Sequence, residues 1–143
     1  MNTISIDMGT TLTKIIECDE KLNIKNKMIL KEKELNKVVE KFIKENKIDI
    51  KNIKKFVLTG VGESKILQKE INGIPLYKKN EFVSVAKGGL KLSKKEKAII
   101  ISMGTGTAFV RVEREEIKHL GGTGVGRWNT YELVQSIFKH TKF

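Results

Sequence analysis

Ile4-Ser5-Ile6-Asp7-Met8-Gly9-Thr10-Thr11-Leu12-Thr13-Lys14-Ile15-Ile16 is the stretch on which the fold turns. Asn2 to Asp7 is short and β-branched and reads as a strand, Leu12 to Cys18 reads as a second strand returning beside it, and Gly9, Thr10 and Thr11 make the turn between them. The hairpin ends its first strand on a carboxylate, Asp7, and follows it with backbone N–H groups and two hydroxyls. Such a turn can hold a phosphate while the carboxylate orients Mg²⁺ through its waters. Lys14 brings positive charge toward the same phosphates. Taken alone, the segment is equally an ordinary hairpin with a Gly-Thr tip.

Outward from the hairpin, Asn23 to Leu30 reads as a third strand, and Leu35, Val38, Val39, Phe42 and Ile43 recur at helical spacing up to the Asn46 region. Lys55 to Thr59 is a buried-type strand ending in a Gly60–Gly62 loop that is expected to be flexible, and Ser64 is placed to cap a helix running to about Glu70. Pro75 introduces a short strand near Leu76–Lys79. Phe82, Val83, Ala86 and Leu90 mark another helix, broken or bent around Gly88–Gly89. Ala98 to Met103 is the clearest strand, and Ala108–Glu113 with Ile117–Leu120 forms a second hairpin. Three leading antiparallel strands followed by alternating units predict an α/β lobe built on one mixed sheet with helices on both faces. No internal repeat, low-complexity stretch or linker is evident.

Two further segments carry possible chemistry. Gly104-Thr105-Gly106-Thr107 is another polar glycine turn between apolar strands; it is either a plain connection or a second phosphate grip. Two such tips at strand ends of one sheet are expected to face a common cleft and share one polyphosphate. Gly121-Gly122-Thr123-Gly124 is too glycine-dense for a strand or helix interior and reads as a loop. It lacks the Gly-Lys-Ser/Thr of a Walker A motif and the context of a dinucleotide fingerprint. Among carboxylates, Glu81 stands at a strand-to-helix junction, where it is a candidate general base or simply a helix-start glutamate.

With 143 residues, 39% of them hydrophobic and 31% charged, the chain suits one globular domain or one lobe of a larger one. The net charge of +11 is spread over scattered lysines interleaved with glutamates, and 6% aromatic content gives little with which to stack bases, so nucleic acid is not an expected partner. The single cysteine, Cys18, lies in an apolar run and reads as a buried thiol in a reducing, cytoplasmic setting. No signal-like leader and no apolar run of membrane-spanning length is present, so no membrane role is expected.

Together, Asp7-Met8-Gly9-Thr10-Thr11 with Lys14, Leu58-Thr59-Gly60, Asn80-Glu81-Phe82, Gly104-Thr105-Gly106-Thr107 and Gly121-Gly122-Thr123-Gly124 resemble, in this order, the front of the type II pantothenate kinases. Those enzymes have the ribonuclease H-like fold of the actin-like ATPase and sugar kinase superfamily. The resemblance runs from about Ile4 to Gly126. It implies transfer of the ATP γ-phosphoryl group to the hydroxyl of pantothenate, the committed step into coenzyme A synthesis, with Mg²⁺ and a homodimeric assembly. In that reading Asp7, Gly9, Thr10, Thr11 and Lys14 form the first phosphate segment, and Asp7 meets Mg²⁺ through water. Glu81 accepts the substrate's hydroxyl proton, Gly104 to Thr107 hold phosphate and substrate, and Gly121 to Gly124 shape the nucleotide side.

This sequence departs from the family at Thr10, where glycine is frequent, at Ala108, where serine is frequent, and at His119, which takes the place of a substrate-contacting arginine. Histidine lacks the fixed charged fork that arginine offers a carboxylate. The family alternatives are a kinase acting on a sugar or N-acetylhexosamine and, from a different class, a non-catalytic nucleotide-binding or assembly module. After Gly126 the pattern stops, and Arg127-Trp128-Asn129-Thr130 stands where the family continues with glycines, a threonine and a long helix. With AGG for Arg127 and suitable codons after it, the adjacent frame reads Gly-Gly-Thr-Leu. Residues 127–143 are therefore read as a frameshifted, aberrant tail to a lobe spanning residues 1–126. The second lobe would be missing, and a free-standing chain is expected to bind ATP poorly.

Overall fold

Alternating burial builds the first sheet. In β1 (Asn2–Met8), Ile4, Ile6 and Met8 turn to the core, and in β2 (Thr13–Cys18) Thr13, Ile15 and Glu17 do so. The two strands pair antiparallel from Thr3↔Cys18 to Met8↔Thr13, which sets Asp7 directly opposite Lys14. β3 (Ile24–Leu30) adds on the far side of β2. The computed structural model describes residues 1–126; the expected aberrant tail, residues 127–143, lies outside the described residues.

α1 (Leu35–Glu45) follows, because Leu35, Val38, Val39 and Phe42 fall on one face and all four are buried. Each such side chain taken out of water contributes about 1.5–3 kcal/mol before entropy is counted. The Asn46 side chain closes the helix by donating to the Phe42 carbonyl at 2.9 Å. The chain then enters β4 (Ile53–Thr59), which lies parallel to β1 with Asp7 beside Thr59. β5 (Glu70–Ile71) and β6 (Ile74–Lys78) complete a mixed sheet of order β3-β2-β1-β4-β6-β5. Ile4, Ile6, Ile15, Phe56 and Leu58 form a common core with the buried face of α1. On the sheet, Glu17 is a buried carboxylate, 4% exposed, and accepts from the amides of Asn2 at 2.5 Å and Asn26 at 2.6 Å. Cys18 is buried, as expected.

The chain divides into two compact units, Met1–Glu81 and a second beginning at Phe82. α2 (Glu81–Ser93) starts at this boundary. In the second unit β7 (Lys97–Met103), β8 (Thr107–Glu113) and β9 (Glu116–Thr123) form an antiparallel sheet of order β7-β8-β9. Ala86 of α2 packs with Val110 and Val112, flanked by Phe82, Leu90 and Ile100. Both units thus lead with, or contain, a three-strand meander whose first turn carries glycine and threonine.

The α/β class and the mixed sheet with three leading antiparallel strands are as expected. Four local readings are corrected. β7 to β9 pair only with one another among the described residues, so the second glycine turn belongs to a sheet of its own. Consecutive strands joined by short turns pair most readily with each other. The helix expected from Ser64 to Glu70 is a single 3₁₀ turn, Glu63–Lys65, with Ile66 extended after it. Ile66 packs on the core while Leu67 is 89% exposed, so the segment buries no apolar stripe at helical spacing to repay helix nucleation. α2 runs unbroken through Gly88 and Gly89, held by its packing on the sheet. Finally, Gly121, Gly122 and Thr123 belong to β9 rather than to a loop. Gly122 pairs with Ala108, and a Cβ there would meet the Thr107 carbonyl at 2.5 Å, so only a bare backbone passes this close. Among the described residues, no helix is long and apolar enough to cross a membrane.

Candidate functional site

The hairpin tip is a two-residue turn, Thr10–Thr11, closed by the Gly9 N–H donating to the Leu12 carbonyl at 3.1 Å. Just before it, Lys14 Nζ donates to Asp7 Oδ2 at 2.6 Å. Both side chains are substantially exposed, so the pair adds about 0–1 kcal/mol to stability at most. Its importance is positional: the ammonium is held at the strand end where the turn's donors begin. The expected first segment, Asp7, Gly9, Thr10, Thr11 and Lys14, is therefore one local structure.

The opposite side of the Asp7 carboxylate is shaped by the end of β4. Gly60 has φ +98°, and a Cβ built on it would lie 2.6 Å from the Met8 carbonyl oxygen and 2.7 Å from Asp7 Oδ1. The Gly62 N–H donates to the same Met8 carbonyl at 3.3 Å. The Gly60–Gly62 segment, expected to be a flexible loop, is instead tied to the end of β1. Thr59, just before it, holds a buried Oγ1 that meets no hydrogen-bond partner.

A second ammonium reaches the turn from β3's far end. Thr13, fully buried, donates its hydroxyl to the Glu32 carbonyl at 2.7 Å, and the Glu32 side chain accepts from the N–H groups of Lys33 and Glu34. The loop so fixed sets Lys33 Nζ 2.7 Å from the Gly9 carbonyl, to which it donates. Lys33, Thr59 and Gly60 were not among the expected site residues. No sequence pattern marks a lysine that arrives across 24 positions.

Glu81 stands at the first position of α2, where the helix dipole alone would lower its pKa. Burial instead pushes the carboxyl above its ordinary value, the Asp7 carboxylate adds to the rise, and Lys14 partly offsets it. Glu81 is thereby electrostatically joined to the Asp7–Lys14 pair, and a carboxylate whose proton affinity is raised in this way suits a proton acceptor. For Mg²⁺, which keeps most of its shell as water and phosphate oxygen, one or two carboxylates suffice. Asp7 offers one on a turn rich in donors, and the unmet Thr59 hydroxyl beside it is the kind of group a hydrated ion would satisfy. The residues fit the ion. No cluster of three or more His, Cys, Asp or Glu occurs among the described residues.

In the second unit the Gly104 N–H donates to the Gly106 carbonyl at 2.8 Å, so Gly104, Thr105 and Gly106 form a tight tip between β7 and β8. Thr107 pairs with Thr123, and both hydroxyls donate to the Val125 carbonyl, at 2.7 and 3.2 Å. The structure thus brings the Gly104–Thr107 and Gly121–Gly124 segments together along one ladder. His119, exposed on β9, stacks on Phe82 with ring centroids 4.0 Å apart and planes 15° from parallel.

The fold is shared with solved structures of the actin-like ATPase and ROK kinase type. A structural match is the activator of 2-hydroxyisocaproyl-CoA dehydratase from Clostridium difficile with bound ADPNP, with TM-score 0.66 and 17% identity over 100% of this chain and 58% of that one. Another is a ROK family protein from Streptococcus pneumoniae TIGR4 in complex with sucrose, with TM-score 0.60 and 15% identity over 100% of this chain and 64% of that one. In sequence, the chain is similar to the type II pantothenate kinases. It is 37% identical over 134 residues to the one from Bacillus cereus (strain G9842), a match covering 87% of this chain. The chain spans 45% of that relative's length. No family model matches the chain.

Proposed function

We propose that this chain serves a kinase that moves the terminal phosphoryl group of ATP to the hydroxyl of pantothenate, the first committed step toward coenzyme A. The observation that carries the reading is Glu81, raised in proton affinity beside the Asp7–Lys14 pair, at the end of a hairpin whose tip presents phosphate-type donors. The hydroxyl oxygen attacks the terminal phosphorus, the bond to the bridging oxygen breaks, and ADP leaves. The hydroxyl proton passes to the Glu81 carboxylate. Lys14 and the donors of Thr10 and Thr11, on the turn that Gly9 closes through its N–H to the Leu12 carbonyl, offset the charge on the phosphates, so the rate rests on placement and electrostatics. Mg²⁺, held by Asp7 through water, would supply further neutralisation of the phosphate oxygens. Gly104, Thr105, Gly106 and Thr107 are assigned to phosphate and substrate, Gly121 to Gly124 to the nucleotide side, and His119 to the substrate, each on the family resemblance. A cytoplasmic location and a homodimer belong to the same reading.

The test is ADP release measured with pantothenate, N-acetylmannosamine and glucose in turn. It is run on the chain alone and on the chain substituted for the matching segment of the Bacillus cereus relative. Pantothenate-dependent release above the sugars supports the assignment. Sugar-dependent release moves it to the alternative favoured by the sucrose-bound structural match, and release with none of them in either protein removes the kinase reading.

Lys33 contributes a second cation to the first turn. Replacing Lys33 with alanine is expected to weaken binding of a fluorescent ATP analogue about 2- to 5-fold at low salt, as for an exposed charge contact. The difference should shrink as salt rises. Equal binding by wild type and variant at low salt would leave Lys33 as a clamp on the Gly9 carbonyl only.

A further inference from the structure

The Thr59 hydroxyl is the one side-chain oxygen or nitrogen that the described residues bury without any hydrogen-bond partner. Such a group costs free energy that a neighbouring donor, acceptor or water would ordinarily recover. The residue as a whole is half-buried, and an unmet hydroxyl in that position is suited to a partner that the protein itself does not supply.

The surroundings say what that is. Thr59 is the cross-strand partner of Asp7 in the parallel β1–β4 ladder. Partners on adjacent strands point to the same face, roughly 4.8 Å apart. The face they share is opposite the one carrying Ile6, Met8 and Leu58, which belong to the core under α1. Asp7 divides its carboxylate: Oδ2 goes to Lys14, whereas Oδ1 is turned toward the β4 end, 2.7 Å from where a Cβ on Gly60 would stand. A carboxylate oxygen and an unmet hydroxyl thus sit at neighbouring strand ends, next to a backbone with no side chain.

We propose that Thr59 is a positioning residue of the nucleotide site. Its hydroxyl hydrogen-bonds a water that Asp7 holds in the hydration shell of the nucleotide-bound divalent cation. The assignment rests on the nucleotide reading above and extends it to a residue outside the glycine turns. It makes an unusual joint demand, because the hydroxyl is a burden to the empty protein and an asset to the loaded one.

Thr59→Val keeps the shape and removes the oxygen, and Thr59→Ser keeps the oxygen. The full chain and both variants are titrated with a fluorescent ATP analogue, with MgCl₂ and with EDTA, and each is unfolded in urea without ligand. Thr59→Val is expected to weaken Mg²⁺-dependent binding about 3- to 10-fold while its ligand-free midpoint stays equal to or above that of wild type. Thr59→Ser should bind like wild type. If Thr59→Val binds as tightly as wild type in MgCl₂, or if it loses stability and affinity together, the assignment is overturned. If the wild-type chain binds nucleotide only with equal strength in MgCl₂ and EDTA, the cation role of Thr59 falls while nucleotide binding stands. A wild-type chain that binds no nucleotide overturns both readings.

Discussion

Glu81→Gln is expected to lower pantothenate-dependent ADP release about 100-fold or more, the scale of a lost general base, while nucleotide affinity stays within about twofold. The substitution keeps size and hydrogen bonding at the start of α2 and removes only the capacity to take a proton. The pH profile carries independent information. Burial and Asp7 raise the Glu81 pKa above the ordinary 4.5, so the folded protein holds that proton to higher pH than an exposed glutamate would. Turnover requires the carboxylate, hence the rate should rise with pH through a limb placed above the ordinary glutamate range. The stability contribution runs the other way: a raised acid favours the folded state at low pH and loses that contribution as pH rises through its folded pKa. Replacing Lys14 with methionine removes the opposing influence and should move the limb further up. A limb unmoved in that variant, or full activity in Glu81→Gln, would take Glu81 out of the proton-accepting role.

Gly60→Ala is expected to cost about 2–4 kcal/mol of folding stability, read as a lower urea midpoint, because backbone strain and a steric clash add at this position. With φ +98° the residue lies where L side chains rarely go, and the new methyl would stand against both the Met8 carbonyl and Asp7 Oδ1. Relief requires the β4 end or the Asp7 carboxylate to shift, so Mg²⁺-dependent nucleotide binding should fall along with stability. Gly73→Ala is the useful control. It shares the positive φ, +76°, but a Cβ there meets nothing within 4 Å. If the two variants lose the same stability, the close approach at Gly60 contributes nothing beyond its dihedral.

How far the sequence could be read depended on the range of the interaction. The Asp7–Lys14 hairpin was legible because alternation, turn residues and the cross-strand pair all lie within Asn2 to Cys18. α1 was legible because Leu35, Val38, Val39 and Phe42 repeat at the helical period. The glycines at the end of β9 were misread because composition argues against a strand, whereas the ladder to Thr107 and Ala108 imposes one. Glu81 could be singled out by its place at a junction, but the direction of its pKa shift needed Asp7 and burial in three dimensions. Lys33 left no local signal, because it reaches the turn through a loop anchored by Thr13; Thr59 stood in the Leu58-Thr59-Gly60 motif, but that its hydroxyl is buried without a partner shows only in three dimensions.

The buried Glu17, held between the amides of Asn2 and Asn26, bears on how the first site comes to be aligned. Those three residues come from β1, β2 and β3, so the carboxylate is met from both neighbouring strands at once. Sliding β2 by one residue along β1 would turn Glu17 to the opposite face and leave both amides behind. The same slip would take Lys14 away from Asp7. The buried carboxylate therefore acts as an index mark at the far end of the hairpin: a misregistered pairing is penalised because it leaves Glu17 without the two amides that meet it.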